Sequence, residues 1–320
     1  MTGFLTGWRR ALRPEAAPLV AIVGPTAAGK SELSLRLAGA LDGEVISADS
    51  MQLYRGMDIG TGKLAMSERL GVPHHLLDIW DVTEPASVSE YQKLARAAIA
   101  DIVGRGKTPV LVGGSGLYVR AVIDDLKFPG TDPVVRARLE RELVEAGSAG
   151  LHARLAAADP AAAAAILVSN GRRIVRALEV IELSGRPFSA TLPEYRSVLP
   201  TVQLGLDIPR PELDVRIGAR VRQMWQSGLV GEVRELIDSG LREGRTASRA
   251  LGYAQVLRLI DGEWTAEEAE QETVVATRRF ARRQESWFRR DPRVRWLPAL
   301  DPVPTSAAID VVKEAAACGD

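Results

Sequence analysis

The sequence is poor in the residues that staple or metallate a chain. One cysteine, Cys318, and three histidines, His74, His75 and His152, occur among 320 residues. No disulfide framework and no Cys/His zinc set can be assembled from them. Net charge is missing too: 41 Lys plus Arg balance 41 Asp plus Glu. That removes the global basic field that binds nucleic acid by charge alone and leaves only local contacts. No uninterrupted apolar run approaches the roughly 20 residues of a membrane-spanning helix. At the start, Arg9 and Arg10 are followed by Pro14, Glu15 and Pro18, which interrupt what would have to be an apolar signal core. Residues 1–18 therefore read as a flexible leader on a cytoplasmic protein.

What is present is enough apolar residue, 46%, to build a sizeable core of one large or two ordinary domains. Short β-rich runs bounded by Gly, Asp or Pro occur at 19–24, 44–49, 75–79, 108–114, 202–208 and 294–297. Helical stretches at 30–41 and 89–106 alternate with the first four, the pattern of a parallel sheet covered on both faces. From about 120 to 200 the text turns helical, at 133–147, 151–168 and 171–185. The alanines after Pro160 join it, because Ala is the best helix former. More helix is expected between 212 and 290. The expected fold is α/β, with a core of 19–125 and 200–320 and an inserted all-helical domain at 126–199.

"AIVGPTAAGKSEL", residues 21–33, runs from a strand into G-x-x-x-x-G-K-[ST] and on into a helix. The matching residues are Gly24, Pro25, Thr26, Ala27, Ala28, Gly29, Lys30 and Ser31, and they make the sheet P-loop NTPase-like. Backbone N–H groups and the helix N-terminus converge on phosphate oxygens, Lys30 adds a cation, and the Ser31 hydroxyl can ligate Mg²⁺. ATP-binding and other nucleotide-binding loops share this pattern. It specifies phosphate rather than nucleotide, and pyrophosphate offers the same oxygens.

Asp49 ends the second strand, at the edge where open parallel sheets bind ligands. It can hold Mg²⁺, act as a base on an amine, or cap the next helix. Ser115, in "VLVGGSGLY", lies past another strand, where glycines admit a close approach. It is either a site hydroxyl or a turn serine. In the long C-terminal helix acids precede arginines, as the macrodipole favours. Arg279, Arg283 and Arg290 recur there beside Phe280, Gln284 and Trp287, and such paired stripes can grip a nucleic-acid backbone and stack a base. Arg172, Arg173 and Arg176 form a second basic cluster that reads as a solvated face. His74 and His75, adjacent on a strand, point to opposite faces and read as packing or hydrogen-bonding residues.

Taken together, "GPTAAGKS", "ISADSMQLYRGMDIGTGK", "PHHLLDI", "VLVGGSGLY", "RRIVRALEV", "ALGYAQV" and "RRQESWFRR" resemble the bacterial-type tRNA dimethylallyltransferases. These enzymes are also called isopentenyl-diphosphate:tRNA isopentenyltransferases. The resemblance runs in family order over residues 19–297. It implies transfer of a dimethylallyl group from dimethylallyl diphosphate to N6 of the adenosine at position 37 of the tRNA anticodon loop, releasing diphosphate. It implies Asp49 as general base, Ser115 where a threonine is usual, and Gly24 to Ser31 with Mg²⁺ and Arg220 on the diphosphate. tRNA contacts would come from Asp49, Ser50, Met51 and Gln52, from Ser115, and from Arg136. Further contacts would come from Arg172, Arg173, Ile174, Val175 and Arg176, from Arg249, Ala250, Leu251, Gly252, Tyr253 and Ala254, and from Arg283. The expected protein is a monomer. Related readings are an isopentenyltransferase acting on free AMP, ADP or ATP, and a P-loop kinase. Two departures stand out: "GTGKL" replaces the more usual "GTAKP", and Ala254 stands where Lys or Arg is common.

Overall fold

The computed structural model describes residues 17–191, 195–299 and 302–318, so the expected leader lies almost wholly outside the described residues. Six strands, β1 Leu19–Val23, β2 Gly43–Ser47, β3 His74–His75, β4 Thr108–Val112, β5 Thr201–Asp207 and β6 Val294–Pro298, form one sheet. Their order is β3-β2-β4-β1-β5-β6 and every pairing is parallel. The period of two explains how this sheet is buried on both faces. In β1 the side chains of Leu19, Ala21 and Val23 enter one core cluster, and Val20 and Ile22 enter the other.

The described residues divide into two compact units, one drawn from 1–123 with 197–320 and one from 124–196. In the first, α1 Lys30–Ala40, α2 Val88–Gly104 and α3 Gly116–Ile123 follow β1, precede β4 and follow β4. In the second, α4 Pro133–Ala158, α5 Pro160–Ala165 and α6 Gly171–Ser184 surround a core that includes Leu139, Leu155, Ile174 and Leu178. The first unit then continues with α7 Arg210–Gln226, α8 Leu229–Asp238, α9 Tyr253–Ile260, α10 Ala266–Phe288 and α11 Thr305–Cys318. No described helix is long and apolar enough to cross a membrane.

Two expectations are corrected. The strand expected at 75–79 is only two residues long, because Leu76 and Asp78 adopt positive φ, 60° and 57°. The following residues bond elsewhere, Ile79 N–H to the Leu53 carbonyl at 2.8 Å. The helix expected at 151–168 is two helices, since Pro160 cannot donate within a helix and starts a new one. Asp159 caps that second helix by accepting from the Ala162 N–H at 3.0 Å.

Candidate active site

Three adjacent strands, β2, β4 and β1, present their C-terminal ends side by side. The expected site residues follow these ends directly: Asp49 after β2, Ser115 after β4, and the glycine-rich loop 24–31 after β1. The loop turns through positive φ at Gly24, Ala27 and Gly29, 137°, 64° and 95°, and Gly29 precedes the first turn of α1. Backbone N–H groups therefore converge where an anion is favoured.

Lys30 Nζ donates to the Pro25 carbonyl at 2.6 Å and forms no ion pair with a carboxylate among the described residues. The residue keeps some exposure, but its ammonium is enclosed. Burial, reinforced by the Arg220 guanidinium and opposed by Asp49, lowers its pKa to about 8. Arg220, on α7, reaches the same place. It donates to the Thr61 carbonyl at 3.1 Å, and burial lowers its pKa while Asp49 acts in the opposite sense. Two cations thus share this neighbourhood with one carboxylate.

Asp49 spends one oxygen on a turn: the Met51 N–H donates to its Oδ1 at 2.9 Å. No helix follows, so Asp49 caps a turn rather than a helix, and Oδ2 has no hydrogen-bond partner among the described residues. Ser115 ties the two loops together. Its Oγ accepts from the Ser50 N–H at 3.2 Å and donates to Ser50 Oγ at 3.2 Å. Ser31 Oγ has no partner among the described residues. Ser31 also lines a cavity of about 20 Å³, with Ser34, Ser47, Gln52 and His74, that has room for one water-sized group. The Ser31 hydroxyl can therefore offer an oxygen to a divalent ion. Among the described residues no cluster of three or more His, Cys, Asp or Glu could hold one without phosphate oxygens.

Gln284, on α10, is a residue whose role periodicity did not reveal. The sequence puts it in a stripe with Phe280 and Trp287, yet its amide brackets two loops. The Thr26 N–H donates to its Oε1 at 2.9 Å and its Nε2 donates to the Gly114 carbonyl at 3.1 Å. A Cβ on Gly114 would lie 2.0 Å from that Nε2, so only glycine admits the bracket. Trp287 packs against Gly116 in the same way. Arg283 is exposed and stacks on Phe280 at 5.7 Å.

The remaining candidates separate by burial. Arg172, Arg173 and Arg249 are exposed, whereas the side chains of Ile174, Val175, Ala250 and Tyr253 are core residues. The helical period turns 174 and 175 inward just as it turns 172 and 173 outward. Gly252 is buried, and Leu251 and Ala254 are half-buried. Arg136 and Arg176 are engaged by one fully buried carboxylate, Glu179. It accepts from Arg136 Nε at 3.2 Å, from a second Arg136 nitrogen, and from an Arg176 nitrogen at 2.6 Å. Arg176 also donates to the Pro129 and Gly130 carbonyls at 2.8 and 3.2 Å. Burial alone would raise the Glu179 pKa, but the two arginines outweigh it and hold the group below its usual value. His74 donates to the Val72 carbonyl at 2.8 Å, and His75 shares a 2.7 Å hydrogen bond with Glu44.

A family model described as IPP transferase matches residues 52–291. The tRNA dimethylallyltransferase of Streptomyces avermitilis is 68% identical over 284 residues, 89% of this chain and 91% of that protein. The tRNA dimethylallyltransferase of Salinispora arenicola is 65% identical over 301 residues, 94% of this chain and 88% of that protein. The crystal structure of a tRNA isopentenylpyrophosphate transferase from Bacillus halodurans aligns with a TM-score of 0.70 at 43% identity, covering 95% of this chain and 97% of that one. A eukaryotic dimethylallyltransferase acting on tRNA aligns with a TM-score of 0.79 at 26% identity, covering 91% of this chain and 77% of that one.

Proposed function

This chain belongs to the IPP transferase family, and on that premise we infer that it is a tRNA dimethylallyltransferase. It transfers the dimethylallyl group of dimethylallyl diphosphate to N6 of adenosine 37 in tRNA, with diphosphate as the second product. The observation that carries this reading is the charge arrangement at the strand ends. Among the described residues Lys30 and Arg220 make no salt bridge to a carboxylate and lie near Asp49, one of whose oxygens has no hydrogen-bond partner there.

The chemistry follows from that arrangement. The adenine N6 lone pair is delocalised into the ring, so its attack on C1 of the prenyl group needs the N6 proton removed as the bond forms. Asp49 Oδ2 takes that proton. The C1–O bond breaks and its electron pair leaves with the diphosphate, where charge develops. There the loop N–H groups, Lys30 and Arg220 are already aimed, and such preorganised donors stabilise a transition state more than its ground state. Ser31 and the diphosphate oxygens would together hold Mg²⁺, which when bound adds charge neutralisation at the leaving group. Ser115 orients the 49–52 segment through Ser50. A base stacked in an anticodon loop cannot reach a half-buried carboxylate, so the adenosine must leave its stack. Exposed arginines of each unit, Arg249 and Arg283 in one and Arg172 and Arg173 in the other, are suited to contact tRNA phosphates.

The test is incubation with labelled dimethylallyl diphosphate, Mg²⁺ and unmodified tRNA, with AMP as a parallel acceptor, followed by nucleoside analysis. N6-dimethylallyl adenosine recovered from the tRNA supports the assignment. Label only in AMP, or phosphate release from ATP without prenyl transfer, overturns it.

A further inference from the structure

A half-buried carboxylate on α8, Glu232, holds the loop against which Arg220 rests. Glu232 Oε2 accepts from the Asp58 and Ile59 N–H groups at 3.1 and 2.6 Å, and its Oε1 from the Gly60 N–H at 3.2 Å and the Tyr253 hydroxyl at 2.5 Å. Four donors thus converge on one side chain, which saturates both oxygens. Tyr253 is fully buried, and burial with the adjacent Glu232 pushes its phenol far above the ordinary value, so it stays a donor. Its ring also sits where a Cβ on Gly60 would be, 2.5 Å away. The other end of the loop is fixed by Lys63. Its almost fully buried ammonium donates to the Tyr54 carbonyl at 3.0 Å and to Asp58 and Asp78 at 2.5 Å each.

Between these anchors lie Thr61 and Gly62. The Thr61 carbonyl is the acceptor Arg220 uses, and a Cβ on Gly62 would come within 2.1 Å of that guanidinium. The loop therefore sets both the hydrogen bond and the closest approach of Arg220. An arginine side chain has several rotatable bonds, so its charge stays at one place only if something external defines that place.

We propose that Glu232 and Tyr253 are positioning residues for diphosphate: by fixing residues 58–60 they place the Thr61 carbonyl and Gly62 that hold the Arg220 guanidinium at the leaving group. This rests on the reading of Arg220 as a diphosphate ligand. Tyr253 then serves the site from beneath, through Glu232, rather than through a side-chain contact with RNA. Glu232→Gln keeps the shape but turns an NH₂ toward one pair of the four donors.

The test measures binding of inorganic diphosphate with Mg²⁺, and separately of tRNA, to the full chain and to Glu232→Gln, Tyr253→Phe, Arg220→Ala and the Glu232→Gln/Arg220→Ala double variant. Glu232→Gln is expected to weaken diphosphate binding about tenfold and Tyr253→Phe about threefold, with tRNA affinity kept within about twofold, the scale of lost outer-shell support. In the Arg220→Ala background the Glu232→Gln effect should shrink to less than about twofold, because residues acting through one another are not additive. Full additivity, or an equal loss of tRNA affinity, overturns the proposal; so does an unchanged diphosphate affinity in Tyr253→Phe, the milder variant that decides the matter if Glu232→Gln does not fold. Unchanged diphosphate affinity in Arg220→Ala instead overturns the assignment of Arg220 itself.

Discussion

The cations at the strand ends and the arginines of the helical unit are kept in opposite ways. Lys30 and Arg220 are enclosed, bonded among the described residues only to backbone carbonyls, and lowered in pKa. In the helical unit Arg136 and Arg176 share buried Glu179, Arg138 pairs with Glu142 and Glu182, and Arg154 pairs with Glu142. An enclosed cation without a counter-ion costs folding free energy. A site that keeps two of them is organised for an anion that arrives later. Arginines already neutralised by the fold act first as scaffold, which leaves exposed arginines such as Arg172 and Arg173 among the freer charges of that unit.

This contrast can be broken in several places. Lys30→Met should lower the single-turnover transfer rate by about 10² to 10³, the scale of one preorganised donor to a developing anion. Its chemical-denaturation midpoint should hold or rise, because an enclosed unpaired ammonium has been removed. A lower midpoint with an intact rate would reverse the contrast. Glu179→Gln should do the opposite and lower unfolding free energy by about 2 to 3 kcal/mol, measured by urea denaturation, because it strips two arginines of their shared partner.

The pH profile sharpens the same point. Lys30 is charged below about 8 and loses its proton as pH rises through that value. Donor kcat/KM in the wild-type chain should therefore fall above about pH 8, approaching tenfold per pH unit, while Lys30→Arg should lack that limb. A flat wild-type profile from pH 7 to 9.5 would contradict the enclosed-cation account. Arg172→Ala and Arg173→Ala should each reduce the slope of log tRNA affinity against log salt by about 0.7 to 0.9 without changing stability. The smallest effect is expected from Gly62→Ala. Its methyl would push the Arg220 end group aside, and diphosphate binding should weaken only about two- to threefold, because a flexible terminus can shift.

Much of the frame was legible because it rests on local signals. Apolar runs at 19–24, 44–49 and 108–114 mark strands that the fold places at Leu19–Val23, Gly43–Ser47 and Thr108–Val112, and the glycine-lysine-serine loop needs only its own neighbours to be read. Asp49 and Ser115 follow from knowing which edge of a parallel sheet binds ligands. The supporting shell was not legible, for a physical reason: Gln284 meets Thr26 across 258 positions, and Glu232 meets Ile59 across 173. No spacing rule links residues so far apart. The two-residue β3 failed for another reason, since positive φ at non-glycine residues Leu76 and Asp78 is imposed by tertiary bonds that override β propensity. Among the arginines, sequence located the clusters but could not tell a paired guanidinium from a free one.

In the proposed reaction Asp49 takes the N6 proton while the cations beside it hold the departing diphosphate. The most direct measurement is the single-turnover transfer rate of Asp49→Asn on tRNA, with tRNA affinity determined on the same protein. A rate lower by about 10² to 10⁴, the usual cost of removing a general base, is expected, with tRNA affinity nearly unchanged. Transfer at a near wild-type rate would contradict it.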